Sequence, residues 1–161
     1  MSTKTLIAVL GLASAVAIAP PSYAADRKIM PGSACQPISE TAEFSKDLFG
    51  RILNPSASAR LFVDCPVVRD NTASGAGNAV ISSFMKVFDA NGASAPNIIC
   101  TFFSEFDTSL AGVDFATDST GGSNAATLSF ANITGDPNGY YHIFCSIPPG
   151  GNIKEYHWNE I

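Results

Sequence analysis

The stretch VISSFMKVFDANG, residues 80–92, decides the fold class. Its first nine residues alternate. Ile81, Ser83, Met85 and Val87 fall on one side, and Val80, Ser82, Phe84, Lys86 and Phe88 on the other. Period two in a run rich in Val, Ile and Phe is strand patterning; a helix would repeat its apolar residues at three and four. Asp89-Ala90-Asn91-Gly92 then reads as a turn, because Asn-Gly tolerates positive φ.

The same period extends in both directions. Downstream, residues 97–106 place Cys100, Phe102 and Ser104 on one face and Ile99, Thr101, Phe103 and Glu105 on the other. Shorter strands are expected at 110–116, 126–133, 140–147 and 153–158, separated by turns at 118–122, 135–139 and 148–151. Upstream, residues 60–65 alternate, and Pro66 is expected to end or bulge that strand because it has no N–H to donate. Residues 49–54 form another short strand, and the polar, glycine-rich stretch 70–78 is a loop. About eight strands with clear turns and no long helix predict an all-β domain. The expected form is an antiparallel β-sandwich, immunoglobulin-like or jelly-roll, with a closed barrel as the alternative.

The domain starts late. Residues 1–24 read as a cleaved signal peptide: Lys4, an apolar run over 6–19, Pro20-Pro21, and small residues at Ser22 and Ala24. The run is too short for a spanning helix, which needs about 20 apolar residues. Cleavage leaves roughly 137 residues, enough for one domain with a real core. Residues 25–47 read as a weakly structured N-terminal arm, broken by Pro31-Gly32 and Pro37, and 48–161 as the sandwich. The predicted location is secreted or periplasmic, with no membrane contact after cleavage.

Charge narrows the partners. The chain carries a formal charge of −5, and losing Lys4 makes it more acidic. Without a basic cluster it lacks the electrostatic footprint of a nucleic-acid binder. The partner expected is a protein or a carbohydrate.

Four cysteines, Cys35, Cys65, Cys100 and Cys145, follow the signal segment. Export makes disulfides the natural reading, and the absence of a C-x-x-C pair disfavours zinc. Of three connectivities, Cys35–Cys65 with Cys100–Cys145 is preferred; the first ties the arm to an early strand and the second joins two later strands.

No catalytic, cofactor or metal residues are assigned. His142 and His157 with Glu155 would hold a metal only if their strands paired, and no H-x-H or H-E-x-x-H spacing supports that. There is no G-x-S-x-G elbow. The acids Glu105, Asp107, Asp114 and Asp118 lie near one another in sequence, but nothing places two of them at a hydrolytic separation. The segment 114–118 lacks the D-x-D-x-D-G pattern of a calcium loop. The strongest signal is aromatic. Tyr140, Tyr141, Tyr156 and Trp158 fall in the last two strands and make the candidate binding face, since such rings combine flat apolar surfaces with a polar handle. Asn132-Ile133-Thr134 is a glycosylation sequon.

Three segments carry a resemblance: Met30-Pro31-Gly32-Ser33-Ala34-Cys35, Cys65-Pro66-Val67-Val68-Arg69-Asp70, and Tyr140-Tyr141 through Cys145-Ser146-Ile147-Pro148-Pro149. They resemble a loose group of small uncharacterised exported bacterial proteins. The resemblance implies a secreted or periplasmic disulfide-braced β-sandwich and transfers no activity. The function expected is a non-enzymatic binding or surface-interaction module. The alternatives are a structural subunit of a surface assembly and a secreted hydrolase with an acidic pair.

Overall fold

A computed structural model describes residues 26–68, 79–92, 94–105, 114–122, 124–135 and 139–160. The signal segment, the loop 70–78 and Asp107 lie outside them. Among the described residues the chain forms eleven strands. In order they are β1 (Asp26–Pro31), β2 (Gln36–Pro37), β3 (Ser45–Lys46), β4 (Ile52–Leu53), β5 (Leu61–Val67), β6 (Ala79–Phe88), β7 (Ile99–Glu105), β8 (Asp114–Ser119), β9 (Ala125–Gly135), β10 (Tyr140–Ile147) and β11 (Asn152–Glu160). All pairings are antiparallel.

Two sheets face each other as a sandwich. The first runs β3-β4-β11-β6-β9, with β1 also on β11. β4 covers the start of β11 and β1 covers the rest, from Pro31↔Glu155 to Asp26↔Glu160. The second runs β2-β5-β10-β7-β8. Alternation puts one side of each strand into the core: Leu61, Val63 and Cys65 of β5, Met85 and Val87 of β6, and Ile143, Cys145 and Ile147 of β10 are buried. The expected alternation of residues 81–88 and 97–105 is the one observed at Ser83, Met85, Val87, Cys100, Phe102 and Ser104.

Both disulfides, Cys35–Cys65 and Cys100–Cys145, lie in this core. Cys100 and Cys145 are direct cross-strand partners on β7 and β10. The Met85 sulfur approaches their sulfurs at 3.5 and 3.4 Å. A disulfide has no S–H, so this is polarizable packing between the two sheets, not hydrogen bonding.

Several boundaries differ from expectation for local reasons. The segment expected as a loose arm supplies β1, β2, β3 and a 3₁₀ turn (Gly32–Ala34) to the edges of both sheets. Arg27 and Lys28 hide its alternation, and such charges are common on edge strands. Gly32 is required where this segment crosses β11: a Cβ there would lie 2.1 Å from the Ile153 carbonyl oxygen. Of the strand expected at 110–116, residues 110–113 lie outside the described residues; the rest is found and continues to Ser119, because the turn comes only at Gly121-Gly122.

Pro66 does not end β5; it pairs with His142 in register. Carbonyls of alternate residues point to the same side of a strand. The Phe62 carbonyl accepts from Ile38 N–H, on the β2 side. Pro66 therefore turns its missing N–H to that side, beyond the last β2 pair, Gln36↔Asp64. The freed carbonyls there accept from core side chains of the opposite sheet: Tyr156 Oη to Pro66 O at 2.9 Å, and Trp158 Nε1 to Val68 O at 3.1 Å.

A second polar junction closes the other end. Asp89, fully buried at the end of β6, accepts from Ile98 N–H (3.0 Å), Thr120 Oγ1–H (2.8 Å) and Asn91 N–H (3.0 Å). One carboxylate thus holds the exit of β6, the entry to β7 and the end of β8.

Candidate functional site

The candidate site is the outer face of the second sheet. It follows from parity: on β10 the residues Tyr141, Ile143, Cys145 and Ile147 are buried, so Tyr140, His142, Phe144 and Ser146 face outward. The register builds rows across the four central strands. One row is Pro66, His142, Phe103 and Phe115; the next is Asp64, Phe144, Thr101 and Thr117; the third is Phe62, Ser146, Ile99 and Ser119. Four strands at their usual spacing make this face about 14 Å across.

Rings form an oblique band over it. Phe62 stacks on Phe144 at 6.0 Å, Phe103 lies 5.2 Å from His142 and 6.1 Å from Phe115, and Tyr140 lies 5.7 Å from His142. Phe115 and Tyr140 are 64% and 59% exposed, far more than a core ring retains. At one end Ile38, Ser39, Ala42, Arg60, Phe62 and Phe144 line a hollow of about 380 Å³. Arg60 is committed to the frame: its Nε donates to Ser146 Oγ, and Nη2 to the carbonyls of Asn97 and Ser146.

At the centre, His142 sits between two carboxylates. Nδ1 is 2.6 Å from Asp64 Oδ1, and Nε2 is 3.5 Å from Glu105 Oε1. A carboxylate only accepts, so Nδ1 carries the proton. Tyr140 Oη donates to Glu105 Oε2. Burial of the imidazole opposes its charge, but the Asp64 hydrogen bond and the charges of Asp64 and Glu105 outweigh it, and the His142 pKa rises above its ordinary 6.5. The hydrogen bond to Glu105 raises the Tyr140 phenol as well. Among the described residues the ionic partners of His142 are the carboxylates of Asp64 and Glu105.

Of the four aromatics expected to form the binding face, only Tyr140 is exposed. Tyr141, Tyr156 and Trp158 are buried at 2%, 0% and 2% exposure. Their strand parity points them inward, and Tyr156 and Trp158 spend their polar handles on the carbonyls of Pro66 and Val68. Burial accordingly pushes the Tyr156 phenol up.

The two histidines do not meet, because their strands belong to different sheets. His157 faces outward on the first sheet but is covered by Phe84, stacked at 4.2 Å, and by Arg27. Arg27 can only donate, so Nδ1 accepts and Nε2–H donates to Glu155 Oε1 at 2.9 Å. Both ring nitrogens are thereby occupied. Lys86 and then His157 hold the Glu155 carboxyl below its usual range. Among the described residues no three His, Cys, Asp or Glu side chains converge as metal ligands. Residues 114–118, weighed as a calcium loop, lie within strand β8, and Asp118 accepts the N–H groups of Ser119 and Ser129.

Residues that sequence reading left out of the site are therefore Phe62, Asp64, Phe103, Phe115 and Phe144. The parity of residues 140–147 was the available signal: Cys145 must face in, so Tyr140 and His142 must face out.

No protein family matches the chain, and no curated protein matches it. Solved structures with a similar shape include the C-terminal CBM6 of LamC, a marine laminarinase from Zobellia galactanivorans (13% identity, TM-score 0.47, covering 83% of this chain and 99% of that one). A family 6 carbohydrate-binding module aligns at 15% identity and TM-score 0.44, over 80% of this chain and 90% of that one. The module CBM6cm-2 of Cellvibrio mixtus lichenase 5A, in complex with cellotriose, aligns at 15% identity and TM-score 0.43, over 83% and 97%. The sandwich and its outer face are read from the strands themselves, not from these distant likenesses.

Proposed function

We propose that this chain is an exported, non-enzymatic binding module, secreted or periplasmic, that takes up a carbohydrate chain on the outer face of its second sheet. The observation that carries the reading is the outward-facing ring band Phe62–Phe144 and His142–Phe103–Phe115, exposed at Phe62 and Phe115 and half-buried between them, edged by Asp64, Glu105 and Tyr140 Oη. Flat rings suit the C–H faces of a sugar, and carboxylates and a phenol suit its hydroxyls. A sheet face holds these groups with little ordering cost on binding. The test is calorimetric titration with a panel of oligosaccharides, using wild type, Phe115→Ala and Phe144→Ala. Binding to at least one glycan, weakened about tenfold or more in each variant, is the expected result. Absence of binding across the panel ends this reading.

One observation favours a second reading, a subunit of a surface assembly. The β3–β4 turn holds Leu48 and Phe49 at 102% and 82% exposure. The turn is built firmly: Asp47 Oδ1 accepts from the N–H groups of Phe49 and Arg51, Asp47 Oδ2 pairs with the Arg51 guanidinium, and Gly50 takes φ 75°. Size-exclusion chromatography of wild type and Leu48→Ser/Phe49→Ser separates the two readings.

A further inference from the structure

The outer face of the first sheet carries an excess of positive charge, and the centre of the second sheet's outer face carries two carboxylates. The face of the first sheet presents Arg27, Lys86 and Lys154 against Glu155, and Lys86 and Lys154 flank a hollow of about 180 Å³. The face of the second sheet carries Asp64 and Glu105 beside the ring band. Its cation, Arg60, lies at the end of the band, with three hydrogen bonds to the frame.

Of the groups that face His142 from its own and neighbouring strands, Asp64 on β5 and Glu105 on β7 are acidic, Tyr140 on β10 is neutral, and Phe103 and Pro66 are apolar. A protonated His142 offsets one of the two carboxylates and a neutral one offsets neither. The centre of the face is negative in both states. Asp64 keeps its side chain 45% exposed, and Glu105 keeps 31%. The rings add to the same sign, because the faces of Phe and Tyr are electron-rich and attract cations within about 6 Å.

An uncharged sugar uses the rings and leaves this potential unused. A uronic or sulfated sugar is repelled by it. An ammonium group uses everything on the face: three N–H donors for the carboxylates, and a charge for the rings. We infer that the ligand is a glycan with free amino groups, a polymer of de-N-acetylated amino sugars, laid along the ring band with ammonium groups at Asp64 and Glu105. This rests on the carbohydrate reading above and names its ligand class.

The test compares two oligomers of one backbone, glucosamine hexamer and N-acetylglucosamine hexamer, with a neutral β-glucan hexamer and oligogalacturonate as further arms. Calorimetry on the intact chain at about pH 6 keeps the amines charged, because that lies below an ordinary amino pKa. The expected result is glucosamine hexamer bound about tenfold or more tighter than its acetylated counterpart. That preference should shrink as salt rises from about 0.02 to 0.5 M, as screening requires. Asp64→Asn and Glu105→Gln, close in shape to the originals, should each reduce the preference for the glucosamine hexamer over its acetylated counterpart.

Equal affinity for the two hexamers, or a preference for oligogalacturonate, overturns the amino-sugar inference and leaves the carbohydrate reading standing. No binding in any arm overturns both. Wild type alone decides the ligand class, so a variant that fails to fold does not rescue it.

Discussion

Replacing Asp89 tests the junction that holds three strand ends together. Asp89→Ala removes the acceptor for two buried donors, Ile98 N–H and Thr120 Oγ1–H, and for the half-buried Asn91 N–H. A buried donor left without a partner costs about 1–3 kcal/mol. Two such donors, with some relief from water entering the space, lead to an expected loss of about 3–5 kcal/mol. A domain of this size has about 5–15 kcal/mol in total, so the loss is severe.

Asp89→Asn should be milder. Both buried donors use Oδ2, so an amide that places its oxygen there keeps them and turns its NH₂ against Asn91 N–H alone. The expected loss is about 1–2 kcal/mol. The assay is urea unfolding with both disulfides intact, followed by tryptophan fluorescence and by far-ultraviolet dichroism to check two-state behaviour. A double-mutant cycle with Thr120→Val should return a coupling of about 1 kcal/mol or more. Asp89→Ala within 1 kcal/mol of wild type, or Asp89→Asn worse than Asp89→Ala, would refute the account.

Two further outcomes follow from the site and the frame. His142 should titrate above 6.5 by NMR, and Asp64→Asn should lower that value; a group raised on folding adds stability below its unfolded pKa, so this contribution is full below about pH 6.5 and fades as pH climbs through the folded value. Tyr156→Phe and Trp158→Phe strip the donors from the carbonyls of Pro66 and Val68 and should each cost about 1–3 kcal/mol by denaturant unfolding; neither should change glycan affinity, whereas the aromatic face first expected from these residues would require a loss.

The strands were legible where one face is apolar throughout. Residues 60–65, 80–88 and 97–106 alternate because their inward residues meet a continuous core, and the boundaries found there fall close to those expected. Legibility failed at edges. β1 is an edge strand whose Arg27 and Lys28 obscure the pattern, and β2, β3 and β4 are two residues each, too short for any period to show. Pro66 looked like a stop or a bulge because the end of the β2 pairing at Gln36↔Asp64 is a tertiary fact. The exposure expected of Tyr156 and Trp158 was not found, for a chemical reason: Tyr and Trp suggest exposure by their polar handles, but here those handles reach across the core to Pro66 and Val68. The exposed rings are mostly phenylalanines, which composition alone assigns to the interior. The pairing of His142 with Asp64 and Glu105 joins three strands and depends on register, which no local pattern encodes.

Strand β11 gives the molecule an order of events. It is the hub of the first sheet, and its partners β1, β4 and β6 all precede it; the Arg27–His157 contact alone spans 130 residues. A ribosome completes β6 at Phe88 and β11 at Glu160. At about 5–20 residues per second, that interval is on the order of 4–14 s. Throughout it β1, β4 and β6 exist without the strand they share, with backbone groups unpaired on the sides it will fill. Before then β6 can pair with β9 and β3 with β4, but the first sheet stays in pieces until its last strand joins them.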